Sequence, residues 1–227
     1  MKKTIETIIS RMTTAATAAH RDPLEVRLVA VSKTVPPEKI QRAVDAGLRI
    51  FGENYIQEAT AKIDTIADPR LSWHFIGHLQ SNKAKVAVQY FDLIHSVDSV
   101  KLAAAISKQA KKRSKVQHIL VQINISEEST KSGISADEAL RMVKDISILE
   151  NVSVRGLMTM PPFFDQPEKA RPYFRQLREI RDQIAGAAVP GVDMRELSMG
   201  MTGDFEVAIQ EGATLVRIGT AIFGGRS

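Results

Sequence analysis

The sequence predicts an α/β protein, a single TIM-type (β/α)8 barrel, on three observations. Eight β-rich runs alternate with stretches of 3.6-residue apolar periodicity, the eight units use almost everything after residue 26, and no Pro-, Gly- or Ser-rich linker divides the 227 residues. The runs are Arg27 to Ser32, Arg49 to Gly52, Ser72 to Ile76, Leu93 to Ser96, His118 to Ile125, Val152 to Met158, Glu196 to Ser198 and Leu215 to Ile218. Repeated βα units imply parallel strands with right-handed crossovers, hence an open doubly wound sheet or a closed barrel. Eight units in a chain near the lower size limit of the barrel favour closure. Residues 1–227 are therefore expected to form one domain, with 1–26 as an N-terminal helical extension.

The first element, roughly Ile5 to Ala19, is amphipathic. Pro36 and Pro37 suit the first turn of the next helix, because the fixed φ of proline fits a helix start and its missing N–H is not needed there. Ile40, Ala43 and Val44 give that helix one apolar face, and Gly47 closes it. Ser135 to Glu138 spells a capping box, in which each side chain reaches the other residue's backbone amide, ahead of Ala139, Leu140, Val143 and Ile146. A longer helix is expected from about Glu168 to Ile184, with Phe174, Leu177, Ile180 and Ile184 as its buried stripe and its arginines facing water.

With 44% apolar residues the chain can build one substantial core. The absence of cysteine removes disulfides, thiolate catalysis and cysteine-ligated metal sites, and suits a reducing cytoplasm, the expected location. The histidines show no ligand spacing, so no metal is expected. The chain meets Glu6 before any long apolar stretch, unlike a secretory signal, and no run approaches membrane-spanning length, so no membrane association is expected. The net charge of +5 is densest between Lys108 and Lys115. Basic residues in a last turn complement the helix dipole and no aromatic residues interleave for base stacking, so the cluster reads as a helix end, and no nucleic-acid partner is expected.

Lys33 is the leading candidate for chemistry. It ends the run Leu28-Val29-Ala30-Val31-Ser32-Lys33, and the active site of a barrel lies where its strands empty into loops. A primary amine held there, partly out of water, can attack a carbonyl as the neutral base. Two loops at the far end of the chain extend the pattern. Ser198-Met199-Gly200-Met201-Thr202-Gly203-Asp204 offers hydroxyls and glycine amides ahead of a short helix whose N-terminus favours an anion. Arg217-Ile218-Gly219-Thr220 follows in the eighth unit, and loops seven and eight are where this architecture often holds a phosphate. Period-two alternation puts Leu215, Arg217 and Gly219 on one face, and an arginine inside a barrel demands a carboxylate or a ligand atom beside its guanidinium. Lys83 and Lys131 are weaker candidate amines in post-strand loops, His78 is a candidate for the rim, and Trp73, Met158 and Met160 read as barrel packing. An amine, a phosphate cradle and a ring-side cation together suit pyridoxal 5′-phosphate.

Seven ordered motifs carry a family resemblance. They are Val29-Ala30-Val31-Ser32-Lys33-Thr34, Phe51-Gly52-Glu53-Asn54-Tyr55-Ile56-Gln57-Glu58, Trp73 through Lys83, Lys131-Ser132-Gly133, Gly156-Leu157-Met158-Thr159-Met160, Leu197 through Thr202, and Val216 through Gly224. Across essentially its whole length the chain resembles the YggS/PROSC family, the pyridoxal phosphate homeostasis proteins. Thr202 stands where many relatives carry serine, a swap that keeps the hydroxyl. The resemblance implies a barrel like the N-terminal domain of alanine racemase, of the fold type III class, with Lys33 holding the cofactor as an aldimine. It also implies that Ser198, Thr202, Gly219 and Thr220 hold the phosphate, that Arg217 approaches the pyridine nitrogen, and that Asn54 and Met201 line the pocket.

An arginine at the ring nitrogen makes a poorer electron sink than a carboxylate partner would allow, which disfavours aminotransferase chemistry. Racemisation in the alanine racemase family uses a tyrosine base supplied across a dimer and a C-terminal domain. The chain shows no such domain, and Tyr55, Tyr90 and Tyr173 fall on predicted helices. The expectation is a non-catalytic, monomeric protein that binds, buffers and hands over pyridoxal 5′-phosphate, with cofactor-dependent apo-enzymes as recipients. The alternatives are a racemase or lyase using Lys33, or an adaptor using the basic cluster.

Overall fold

Short apolar runs become strands in the computed structural model, which describes residues 1–126 and 132–225. The strands are β1 (Arg27–Val31), β2 (Ile50–Glu53), β3 (Ser72–Phe75), β4 (Leu93–Val97), β5 (Gln117–Gln122), β6 (Val152–Met158), β7 (Glu196–Ser198) and β8 (Leu215–Ile218). Each pairs in parallel with its sequence neighbours, and β1 pairs with β8, Ala30 opposite Ile218, to close the barrel. The predicted fifth strand ends early: after Gln122 the chain leaves the ladder, and Ile123 bridges Ile134 instead.

Alternation along each strand divides the apolar residues between two cores. Val29, Leu93, Leu120, Met158 and Leu215 pack together inside the barrel, while their strand neighbours Ala30, Ile94, Ile119, Leu157 and Val216 join the larger core under the helices. Burying a Leu- or Phe-sized side chain contributes about 1.5–3 kcal/mol relative to leaving it exposed, so the outer layer is the main source of stability.

The helices are α1 (Lys2–Ala18), α2 (Pro37–Asp45), α3 (Ile56–Ile66), α4 (Ala84–Tyr90), α5 (Val100–Lys111), α6 (Ala139–Ser147), α7 (Arg171–Gly186), α8 (Phe205–Gln210) and α9 (Thr220–Phe223). Helix α1 buries Ile5, Ile8, Met12, Ala15 and Ala16 and packs on α8, where Arg11 bonds Glu206 at 2.7 Å and lies over the Phe205 ring. Helix α5 ends in Lys108 and Lys111, and Lys115 beyond it donates to the Val88 and Phe91 carbonyls near the end of α4. No helix among the described residues is long and apolar enough to cross a membrane.

Two expectations change. Ser135 and Glu138 meet side chain to side chain at 2.8 Å rather than as a reciprocal cap, and α6 starts only at Ala139. The arginines of α7 do not simply face water: Arg171, Arg175 and Arg178 converge on the buried carboxylate of Glu211 at 2.9, 3.3 and 3.0 Å. Burial opposes the charge on Glu211, yet the three guanidinia hold its carboxyl below the usual range. A single acid just past α8 thus draws one face of α7 inward.

Candidate functional site

The carboxyl ends of the strands surround a cavity of about 720 Å³. Strand β1 delivers Lys33 to it; the residue is half-buried, and its amine has no hydrogen bond or ion pair among the described residues. The adjoining wall comes from the loops after β7 and β8. Glycine allows a close approach at two points there. Gly200 has φ +89°, and a Cβ on it would lie 2.5 Å from that of Ala208, so only glycine allows the loop to fold onto α8. Gly219 backs onto β1, where a Cβ would meet the Val31 carbonyl oxygen at 3.2 Å.

These turns bring the Thr202 and Thr220 hydroxyls together, with Thr220 Oγ1 donating to Thr202 Oγ1 at 3.3 Å. The amides of Thr202 and Gly203 have no partner among the described residues. The Met201 amide is already used, donating to Asp204 Oδ1 at 2.6 Å. Burial raises the Asp204 carboxyl above its usual range against the pull of that amide and of Arg217. Because Asp204 stands at the start of α8, that helix end carries an acid of its own, and the free donors belong to the loop instead.

Arg217 lines the floor of the cavity and is 4% exposed. The sequence called for a carboxylate or a ligand beside it; its protein partners are instead neutral. Nη1 donates to Ser198 Oγ at 2.5 Å and Nη2 to the Thr159 carbonyl at 2.9 Å. Burial pulls the guanidinium down to about 10, against the attraction of Asp204, which leaves it cationic at neutral pH. Behind Ser198 the bonds continue inward: His95 Nδ1 lies 2.8 Å from Ser198 Oγ, and His95 Nε2 lies 3.0 Å from His74 Nδ1. Both rings are neutral. Burial, helped by the charge on Arg27, pushes His74 down to about 3, and burial with His74, Arg217 and Arg27 holds His95 well below the ordinary range. Since Arg217 only donates, Ser198 Oγ accepts from it and keeps its own proton available to His95 Nδ1.

Six of the residues singled out in the sequence, Lys33, Met201, Thr202, Arg217, Gly219 and Thr220, line this one cavity. Ser198 does not: it is fully buried and its hydroxyl is spent on Arg217 and His95, so it stands behind the arginine. Asn54 is half-buried just past β2 and is not part of the lining, although its Oδ1 is buried without a partner. Lys83 ends a 3-10 turn away from the cavity, and Lys131 lies outside the described residues. His78 is exposed, with Nδ1 3.9 Å from Asp98. Trp73 packs on Phe51 and Met158 fills the barrel, but Met160 is exposed rather than packed.

The cavity also contains Lys39 and Phe163, which pattern reading passed over. Lys39 belongs to the first turn of α2, a position read only for its helix signal. Phe163 is 85% exposed in the loop after β6, where Pro161-Pro162-Phe163-Phe164 was the available clue. No group of three or more His, Asp or Glu among the described residues could hold a metal ion.

A second cavity, of about 630 Å³, opens at the amino-terminal end of the barrel and is lined by five arginines. Each already has an acid: Arg21 with Glu25 at 3.5 Å, Arg27 with Glu196 at 2.5 Å, Arg178 with Glu211 at 3.0 Å, Arg181 with Asp182 at 2.5 Å and Arg195 with Asp193 at 2.6 Å. Unpartnered cationic chemistry is found at the carboxyl end.

Residues 6–227 match the family model described as alanine racemase, N-terminal domain. A protein of Aquifex aeolicus named pyridoxal phosphate homeostasis protein is 45% identical over 219 residues, 96% of this chain and 95% of its own length. The protein of that name from Escherichia coli K12 is 41% identical, with 95% and 92% covered. Among solved structures, PipY of Synechococcus elongatus with PLP bound superposes with a TM-score of 0.84 at 37% identity, over 96% of this chain and all of that one. An alanine racemase of Clostridium difficile superposes at 0.72 with 14% identity over 56% of its length, a likeness of fold.

Proposed function

The chain belongs to the pyridoxal phosphate homeostasis family, whose barrel is that of the alanine racemase N-terminal domain, and from that premise we propose that it binds and buffers pyridoxal 5′-phosphate in the cavity at the carboxyl end of the barrel. The observation that carries this reading is the placement of an unpartnered amine, Lys33, in one cavity with the Thr202–Thr220 hydroxyl pair and the Arg217 guanidinium. When bound, the cofactor supplies an aldehyde whose condensation with a primary amine releases water and is reversed by water or another amine.

The residues divide the work. Thr202, Thr220 and the free amides of Thr202 and Gly203 suit the phosphate oxygens, Lys33 is the attachment amine, and Arg217 faces the ring. Asn54 Oδ1, a buried acceptor with nothing to accept, suits a donor arriving with the ligand. Arg217 is held by a hydroxyl and a carbonyl with no carboxylate in contact, so it can donate to a ring nitrogen but has no proton to yield at neutral pH. That favours carriage over electron-sink catalysis. No tyrosine lines the cavity among the described residues: Tyr90 bonds Asp64 and Tyr173 packs on Phe164. In this reading the chain acts as a cytoplasmic monomer without turnover of its own and passes cofactor to apo-enzymes.

Reduction of the loaded protein with borohydride followed by mass spectrometry tests the assignment. The adduct is expected on Lys33, and Lys33→Ala is expected to abolish the absorbance of bound cofactor while the fold survives, because the strand ends of a barrel govern chemistry more than stability. An adduct on Lys39 or Lys83 in the wild-type protein overturns the attachment site. Amino-acid turnover that disappears with Lys33→Ala overturns the carrier reading in favour of a racemase or lyase.

A further inference from the structure

The backbone on either side of Lys33 is tied to a buried charge system that the cavity does not contain. Ser32 is fully buried; its hydroxyl donates to Glu53 Oε1 at 2.6 Å, and its carbonyl accepts from Lys62 Nζ at 2.6 Å. Lys62, on α3 and 5% exposed, also bonds Glu53 Oε1 at 3.0 Å and Glu58 Oε1. Glu58 then accepts the Thr34 amide at 2.5 Å. Thr34 has φ 61°, the left-handed region that a β-branched residue resists. One side-chain network thus grips the residues before and after Lys33 and leaves the Lys33 amine without a partner among the described residues.

The network is an odd choice for stability alone. An ammonium and two carboxylates held largely out of water give little advantage over apolar packing of the same volume, and Glu53 Oε2 is left buried without a partner. What the arrangement does fix is direction: relaxation of Thr34 out of its left-handed turn would rotate the Lys33–Thr34 peptide and swing the amine. The acids come from Glu53 and Glu58 of the Phe51–Glu58 motif, in which Phe51 packs in the core while Tyr55 is exposed. We propose that Glu53, Lys62 and Glu58 are positioning residues that set the angle at which Lys33 presents its amine to the aldehyde. The proposal rests on the reading of Lys33 as the attachment point.

Two probes separate positioning from plain structure. Pyridoxal 5′-phosphate can attach; pyridoxine 5′-phosphate has the same ring and phosphate but an alcohol in place of the aldehyde. Glu58 is partly exposed and outside the cavity lining, so Glu58→Ala is the first variant. It is expected to weaken the aldehyde's binding about tenfold or more and slow its attachment, while the alcohol binds as to wild type. Glu58→Gln, which keeps an oxygen for the Thr34 amide, is expected to restore most of the loss. Glu58→Asp, which keeps the charge but shortens the reach, gives the same split at about threefold and replaces the alanine variant if that does not fold. Equal loss for both probes, or no loss for either, overturns the proposal. Wild-type protein that attaches no aldehyde at Lys33 overturns the functional reading and this inference with it, an outcome visible before any variant is made.

Discussion

Thr202 and Thr220 stand eighteen residues apart in sequence, and their hydroxyls meet where Gly200 and Gly219 let both loops close on their neighbours. If the pair holds the phosphate, Thr202→Val with Thr220→Val weakens pyridoxal 5′-phosphate about 10- to 100-fold, at about 1.4 kcal/mol per decade, and leaves pyridoxal almost unchanged. Arg217→Met weakens both vitamers and by less, since a ring nitrogen accepts one bond and a phosphate several. Isothermal titration with the two vitamers decides; equal losses for both in the threonine variant remove the phosphate assignment. At this scale the place of Lys33 in the cavity was legible, because a lysine closing an apolar run marks a strand end. The role of Ser198 was not: sequence cannot say that His95 stands behind it, because that contact depends on the stagger of strands around a closed barrel.

Helix α7 shows how far periodicity carries an element. Phe174, Leu177, Ile180 and Ile184 lie in the core as their spacing requires, because a 3.6-residue repeat fixes a face whatever that face packs against. The partner of the other face depends on where α8 ends, and there Glu211 collects Arg171, Arg175 and Arg178. Glu211→Ala is expected to cost about 2 kcal/mol in urea unfolding, less than a fully buried pair because the arginines keep part of their water. A change below about 0.5 kcal/mol would make the cluster a surface ornament rather than the tie between α7 and α8. The early end of β5 was equally invisible, since the apolar run continues through Ile123 and Ile125 while the ladder stops at Gln122.

For the whole molecule, barrel closure was legible from the count of βα units, because a sheet of eight parallel strands joined by seven crossovers in so short a chain has little choice but to join its edges. The acid response follows from what closure buries. His74 and His95 stay neutral in the folded barrel, with His74 at about 3, whereas histidine in the unfolded chain titrates near 6.5. Below about pH 6.5 the unfolded state takes up protons that the folded state refuses, so stability falls as pH drops from there toward about 3. Glu53, raised by burial against Ser32 and Lys62, acts in the opposite sense: its contribution is present under acid conditions and is lost as pH rises through its folded value. Melting temperatures between pH 7 and 4.5 are expected to decline in the wild type and to flatten with His74→Asn and His95→Asn together. An unchanged slope in the double variant would move the acid sensitivity elsewhere.

The join between β1 and β8 has a consequence for biosynthesis. Lys33 stands just past the first strand to leave the ribosome and one of the two hydroxyls just past the last, so under the proposed assignment an incomplete or nicked chain owns only part of the ligand's contacts. A small molecule that spans the junction acts as a rivet across it, adding RT ln(1 + [L]/Kd) to the free energy holding the cylinder shut. Vitamer supply would then set the lifetime of the scaffold that stores it.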